Sequence, residues 1–208
     1  MLETAILPTN APQAIATAAQ IITAGGLVAF PTDTIYGVAG NPFNSDSLKK
    51  IYIAKQRPDE KALPVLIGSL EQLDRLISSL SPDVEVIARA FWPGPLTLVL
   101  PKNPNLPPEL TAYPTVGVRM PDHPFTLALL RQTGPLATTS ANISGGPNPT
   151  TAQEVLAQLG GRIDLVLDGG PTPGPAASTV VNVSTPEYKI IREGPISLSD
   201  LKNLSRQD

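Results

Sequence analysis

GLVAFPTDTIYGVAGNPFNSDSLKKIYIAKQRPDEKALPVLI, residues 26–67, sets the class of the fold. Leu27 to Phe30 is a short unbroken apolar run, the mark of a strand covered on both faces. The polar residues Pro31 to Thr34 break it, and Ile35 to Val38 is read as its continuation. Asn44, Ser45 and Asp46 then open a helix. Asn44 supplies a capping side chain, and Asp46 suits the positive end of the helix dipole. Leu48, Ile51 and Tyr52 form the apolar stripe of this helix, Lys49 and Lys50 face out, and Pro58 stops it. Leu63 to Ile67 is a second buried strand. Strand, helix and strand in close succession predict an α/β domain.

The same alternation runs outward in both directions. Upstream, Asn10 and Pro12 start a helix over 14–23 that Gly25 and Gly26 end. Downstream, helices are expected over 70–79 and 82–91, a rigid turn at 92–95, and strands over 96–100 and 115–120. Asp122 or His123 caps a helix with Pro124 in its first turn. A strand over 136–139 leads to a Ser/Asn/Gly loop. Thr150 or Thr151 with Glu154 has the form of a capping box. Strands over 164–168, 178–183 and 188–192 and a short helix over 197–204 finish the chain. There is no repeat and no linker, so one domain over 1–208 is expected. The late strands lack an intervening helix. The sheet is therefore predicted to be twisted and mixed parallel/antiparallel, with flanking helices.

Composition excludes several chemistries. The 208 residues include no cysteine, which removes disulfides, thiolate metal sites and cysteine nucleophiles. One histidine, His123, cannot build a histidine-based zinc site or a Ser-His-Asp set alone. A net charge of −3 argues against a protein that holds nucleic acid chiefly through its phosphates. No apolar run has the length of a membrane span, and the first twenty residues have no basic segment of the secretory kind. A soluble cytoplasmic protein with no membrane contact is expected.

Several polar groups fall at the ends of apolar strands, where α/β folds place ligand loops. Lys55 and Arg57 close the first helix. They either answer the dipole or, if the chain turns at 56–58, face a polyphosphate. Ser140 and Asn142 follow a strand and share a side in extended backbone, with Gly145 and Gly146 beyond. They form either a phosphate loop or a routine turn. Thr32, Asp33 and Thr34 either hold a small polar ligand or tie their own turn. Arg119, at a strand end, calls for a carboxylate partner from ligand or protein. No Walker motif or GxGxxG occurs, so any nucleotide is held without those loops.

Four of these stretches together carry a resemblance. They are Phe30-Pro-Thr-Asp-Thr-Ile-Tyr-Gly37, Lys55-Gln-Arg57-Pro58, Gly117-Val-Arg-Met-Pro121 and Thr139-Ser-Ala-Asn142. In order and spacing the chain resembles the YrdC-like threonylcarbamoyl-AMP synthase family, in its short single-domain form, over about 14–194. The resemblance implies a mixed sheet bent around a large open cavity. It implies an enzyme, a nucleotidyltransferase that joins L-threonine, bicarbonate and ATP into threonylcarbamoyl-AMP and pyrophosphate. A downstream transferase would pass the threonylcarbamoyl group to tRNA. Carried over by position, Lys55, Arg57, Ser140, Asn142, Asn148 and Arg192 would serve ATP, with Lys55 and Arg57 as the catalytic cations. Thr34, Arg119, Thr138 and Ser178 would line the threonine side, with Arg119 on the carboxylate. Mg²⁺ would arrive with ATP, and no protein metal ligand is assigned. Longer family members carry a histidine in the strand that here is Leu63 to Ile67, where this chain has none. The alternatives are a double-stranded RNA-binding module, with weak RNA contact, or a nucleotide-binding paralogue without synthase activity. The loop over 169–177 is the expected lid.

Overall fold

A computed structural model describes residues 3–58, 61–174, 178–185 and 187–204. The strands are β1 (Ala5–Pro8), β2 (Val28–Phe30), β3 (Gly37–Gly40), β4 (Val65–Leu66), β5 (Leu96–Pro101), β6 (Thr115–Arg119), β7 (Leu136–Ser140), β8 (Leu165–Asp168), β9 (Thr179–Asn182) and β10 (Lys189–Arg192). The helices are α1 (Ala14–Thr23), α2 (Ser45–Lys55), α3 (Pro82–Phe91), α4 (Pro124–Thr133), α5 (Ala152–Leu159) and α6 (Leu198–Leu204). Among the described residues the strands form one sheet in the order β1-β8-β2-β3-β7-β4-β6-β5-β9-β10. Pairing is mixed, as expected: β8 is parallel to β1 and β2, while β3 is antiparallel to β2 and β7.

The continuous apolar run of β2 has a direct cause. Val28 and Phe30 pack with Ala14, Ala18 and Ile22 of α1 and with Leu129 and Leu130 of α4. Leu27 and Ala29 point the other way, into the larger core with Leu48 and Ile51 of α2. Successive side chains alternate faces, and here both faces are covered.

Three readings need correction. Residues 35–38 do not continue β2. The chain reverses through 31–36, and Gly37 returns opposite Phe30 in antiparallel register. The stretch 70–79 is a 3₁₀ turn over Leu70–Arg75, not a full helix. It carries too few apolar positions to bury a helical stripe, with Leu73 its one buried residue. α1 starts later than Asn10: its cap position is Gln13, which makes no side-chain cap bond. The edge strand β1 was not anticipated. Among the described residues it pairs only with β8, and it is largely exposed, so it lacks a buried apolar signature. The caps at Asn44, His123 and Thr151 lie where the sequence put them, each accepting a backbone N–H.

Candidate functional site

Past β3, one face of the sheet stops being packed, and the sequence shows why. In β6, Val116 and Val118 point into the core while Thr115, Gly117 and Arg119 point the other way. In β5, Leu96 and Leu98 are core and Thr97 and Val99 are opposite. Thr138 and Ser140 of β7, and Val180 and Asn182 of β9, continue this second face. Small and polar side chains cannot fill a core, and a cavity of about 740 Å³ remains above them. Thr34, Arg57, Arg119, Thr138, Ser140, Asn148, Ser178 and Arg192 all line it. Eight residues singled out in the sequence are thus brought together from seven separate parts of the chain.

Lys55 and Asn142 are not at the wall. α2 ends at Lys55 because Gln56 adopts the left-handed conformation, φ 50°, and the Arg57 N–H folds back on the Tyr52 carbonyl. This is the turn that could have made the two cations converge, yet it separates them. Arg57 reaches the cavity, with Nε and Nη2 donating to the carbonyls of Lys61 and Ala62. Lys55 is 1% exposed, and its ammonium donates to the carbonyls of Ser140 and Asn142. The Lys55 carbonyl accepts from the Ser144 N–H at 2.8 Å. Lys55 therefore grips the 140–144 loop from behind at both ends. Burial, and secondarily the Arg57 charge, push its pKa down to about 7. The expectation that Lys55 faces a phosphate is corrected to this extent: its immediate partners are backbone carbonyls.

Asn142 ties the same loop from within. Its Nδ2 donates to the carbonyls of Ile143 and Gly146, both at 2.8 Å. Its buried Oδ1 has no partner among the described residues. Gly145, at φ 86°, makes the turn. Ser140 stands at the cavity, three positions past Ala137, the last core residue of β7.

Arg119 finds its carboxylate within the protein. Its Nη2 donates to Oδ1 and Oδ2 of Asp33, each at 2.6 Å, and Nε donates to the Gly94 carbonyl at 3.0 Å. Its Nη1 lies 3.4 Å from Thr34 Oγ1. Burial lowers the guanidinium's pKa, and the Asp33 charge opposes that shift. Thr32 bonds its own turn: its Oγ1 accepts from the N–H groups of Thr34 and Ile35 and donates to the Ile35 carbonyl. Asp33 does not tie that turn and reaches Arg119 instead.

Across the cavity, Ser178 Oγ sits 2.9 Å from Thr97 Oγ1 and accepts from Arg192 Nη2 at 3.0 Å. Arg192 also donates twice to the Ser178 carbonyl, which holds its stem at the rim. Thr138 Oγ1 donates to the Leu136 carbonyl. Gly37 lets β3 and β7 lie close here, since a Cβ at that position would stand 2.8 Å from Thr138 Cγ2. Among the described residues no Asp or Glu belongs to the wall, and three arginines do. Such a site suits ligands with more than one anionic group. Thr97, Tyr113, Asn182 and Ile191 also line it and were missed in the sequence. Thr97 and Asn182 had a signal in strand alternation, whereas Tyr113 and Ile191 had none. Of the expected lid, 169–174 is described and 175–177 lies outside the described residues.

The chain is similar to known proteins along almost its whole length. The Sua5/YciO/YrdC family model, described as telomere recombination, matches residues 20–194. A threonylcarbamoyl-AMP synthase of Bacillus subtilis is 44% identical over 199 residues, covering 94% of this chain and 57% of that protein. A putative threonylcarbamoyl-AMP synthase of Mycobacterium tuberculosis is 39% identical over 191 residues, covering 91% and 88%. The crystal structure of Pyrococcus abyssi Sua5 complexed with L-threonine superposes with a TM-score of 0.89 at 38% identity, over 98% of this chain and 60% of that one. The chain therefore spans little more than half of two of these relatives and most of the third.

Proposed function

The chain belongs to the Sua5/YciO/YrdC family, and from that membership we propose that it makes threonylcarbamoyl-AMP from L-threonine, bicarbonate and ATP. One observation carries the reading most. A single cavity gathers Arg57, Ser140 and Asn148 with Thr34, Arg119, Thr138 and Ser178, with no carboxylate among the described residues of its wall. Two anionic substrates would find donors there.

The chemistry asks for position rather than for a nucleophile of the protein. The threonine nitrogen bonds to the carbon of bicarbonate, and water leaves, giving a carbamate. A carbamate oxygen then bonds to the α-phosphorus of ATP. The bond from that phosphorus to the bridging oxygen breaks, and pyrophosphate departs with the electron pair. Holding the carbamate in line and neutralising the departing charge account for most of such a rate enhancement. Arg57 and the 140–146 loop, with Asn148 and Arg192, are assigned to the nucleotide. Thr34, Arg119, Thr138 and Ser178 are assigned to threonine, with a free Nη1 hydrogen of Arg119 for its carboxylate. Lys55 and Asn142 serve the nucleotide by fixing the loop that carries Ser140. Lys55 contacts a phosphate itself only if its ammonium leaves the two carbonyls.

Mg²⁺ is the usual companion of ATP. Among the described residues no three His, Cys, Asp or Glu side chains gather as a metal site, and the wall offers no carboxylate. The protein's own donors therefore do not fit a resident metal, and the ion's ligands would be phosphate oxygens and water. The product is an activated acyl adenylate, so a transferase acting on a tRNA nucleoside would consume it.

Pyrophosphate release measured with each substrate omitted in turn tests the proposal. Release is expected only with ATP, threonine and bicarbonate together. Release indifferent to threonine would refute it.

A further inference from the structure

Asp33 is absent from the cavity wall, yet it governs the group that faces it. A guanidinium has five N–H bonds in one plane. In Arg119, Nε–H is held by the Gly94 carbonyl, and Nη2 donates to both Asp33 oxygens. One Nη1 hydrogen is directed at Thr34 Oγ1. The other Nη1 hydrogen is left for the cavity that Arg119 and Thr34 both line. The residue is 7% exposed, and the Asp33 side chain 13%. Such a buried, two-pronged pair fixes both the plane of the fork and its charge.

We infer that Asp33 is a positioning and specificity residue: through Arg119 it makes the threonine side of the cavity select a single carboxylate and reject a polyphosphate. This rests on the synthase reading above. An unpaired buried guanidinium would offer a full positive charge and two free N–H edges, which is what phosphates bind. Pairing with Asp33 cancels most of that charge and hides one edge. A carboxylate still gains one directed hydrogen bond. A polyanion gains the same bond and meets the Asp33 charge immediately behind it. The phosphates are left to Arg57, Asn148, Arg192 and the 140–146 loop, elsewhere on the same cavity wall. Without such sorting, a cavity with three arginines would let ATP or pyrophosphate settle on the threonine donors.

Calorimetric titration with threonine and with ATP, each in the absence and presence of pyrophosphate, tests this on the full chain. Wild type is expected to bind threonine equally well with or without pyrophosphate. Asp33→Asn should weaken threonine by at least about tenfold, the scale of one charge-assisted hydrogen bond. Its ATP affinity should hold within about twofold, a few tenths of a kcal/mol. In this variant alone, pyrophosphate should compete with threonine. In an Arg119→Lys background Asp33→Asn should cost little more, because Asp33 acts through the guanidinium. Unchanged threonine affinity in Asp33→Asn, absence of pyrophosphate competition, or a full additional loss in the Arg119→Lys background would each overturn the inference. If Asp33→Asn does not fold, Asp33→Glu carries the test: its threonine loss must exceed its ATP loss, and equal losses overturn the inference. A wild-type protein that binds no threonine would instead bring down the synthase reading, and this inference with it.

Discussion

Lys55 and Arg57 lie two residues apart and do different work. Arg57 is half-buried and reaches the cavity, while Lys55 is sealed behind the 140–144 loop. Arg57→Ala should therefore raise the KM for ATP by about tenfold or more, the loss of a charged phosphate contact, and leave that for threonine nearly unchanged. Steady-state kinetics with each substrate varied would show the split. Lys55 should announce itself in stability. Its pKa falls from an ordinary 10.5 to about 7 because burial disfavours the charged form. The unfolded chain thus binds a proton that the folded chain does not through that interval. Stability from this group is complete above the unfolded value and is lost as pH falls toward the folded one. Urea unfolding should show wild type gaining on Lys55→Met by roughly 2–3 kcal/mol between about pH 7 and about pH 9.5, and no further change below pH 7. Parallel curves would mean that the ammonium is not desolvated as its burial indicates.

α2 shows which features of an element were written in its own residues. Asn44 caps it by accepting from the N–H groups of Asp46 and Ser47. Asn44→Ala should cost about 1 kcal/mol in chemical denaturation, the usual loss of an N-cap. Gln56 closes the helix at φ 50°, a conformation that glycine adopts freely. Gln56→Gly should be neutral to stabilising by up to about 1 kcal/mol, while Gln56→Val should destabilise. Both ends of α2 were legible because caps, dipole charges and prolines act within a few residues. The reversal at 31–36 was not, because nothing local to Pro31–Thr34 says that β3 must return beside β2. That register is set by Thr138 to Ser140, a hundred residues away. The open face was legible in principle. Thr115-Val-Gly-Val-Arg119 alternates small or polar residues with valine, so one side could not be core. The destination of the Arg119 guanidinium was legible only as a need for a carboxylate, which Asp33 meets from 86 positions away.

At the scale of the molecule, an acidic chain folds so that its cavity is positive. The net charge is −3, yet Arg57, Arg119 and Arg192 share a wall with no Asp or Glu among the described residues. ATP affinity should fall several-fold between about 50 mM and about 300 mM salt, where the screening length drops below the cavity's dimensions, while threonine affinity falls less. Family membership came from motifs spread over the whole chain, and the same motifs converge on this cavity. No helix among the described residues is long and apolar enough to cross a membrane. The central claim is that the cavity joins threonine, bicarbonate and ATP. The most direct measurement is the mass of the adenylate formed with carbon-13 bicarbonate. One product holding AMP, threonine and the labelled carbon, with pyrophosphate in equal amount, is the result expected. AMP or ADP without threonine, or an adenylate without the label, would contradict the account.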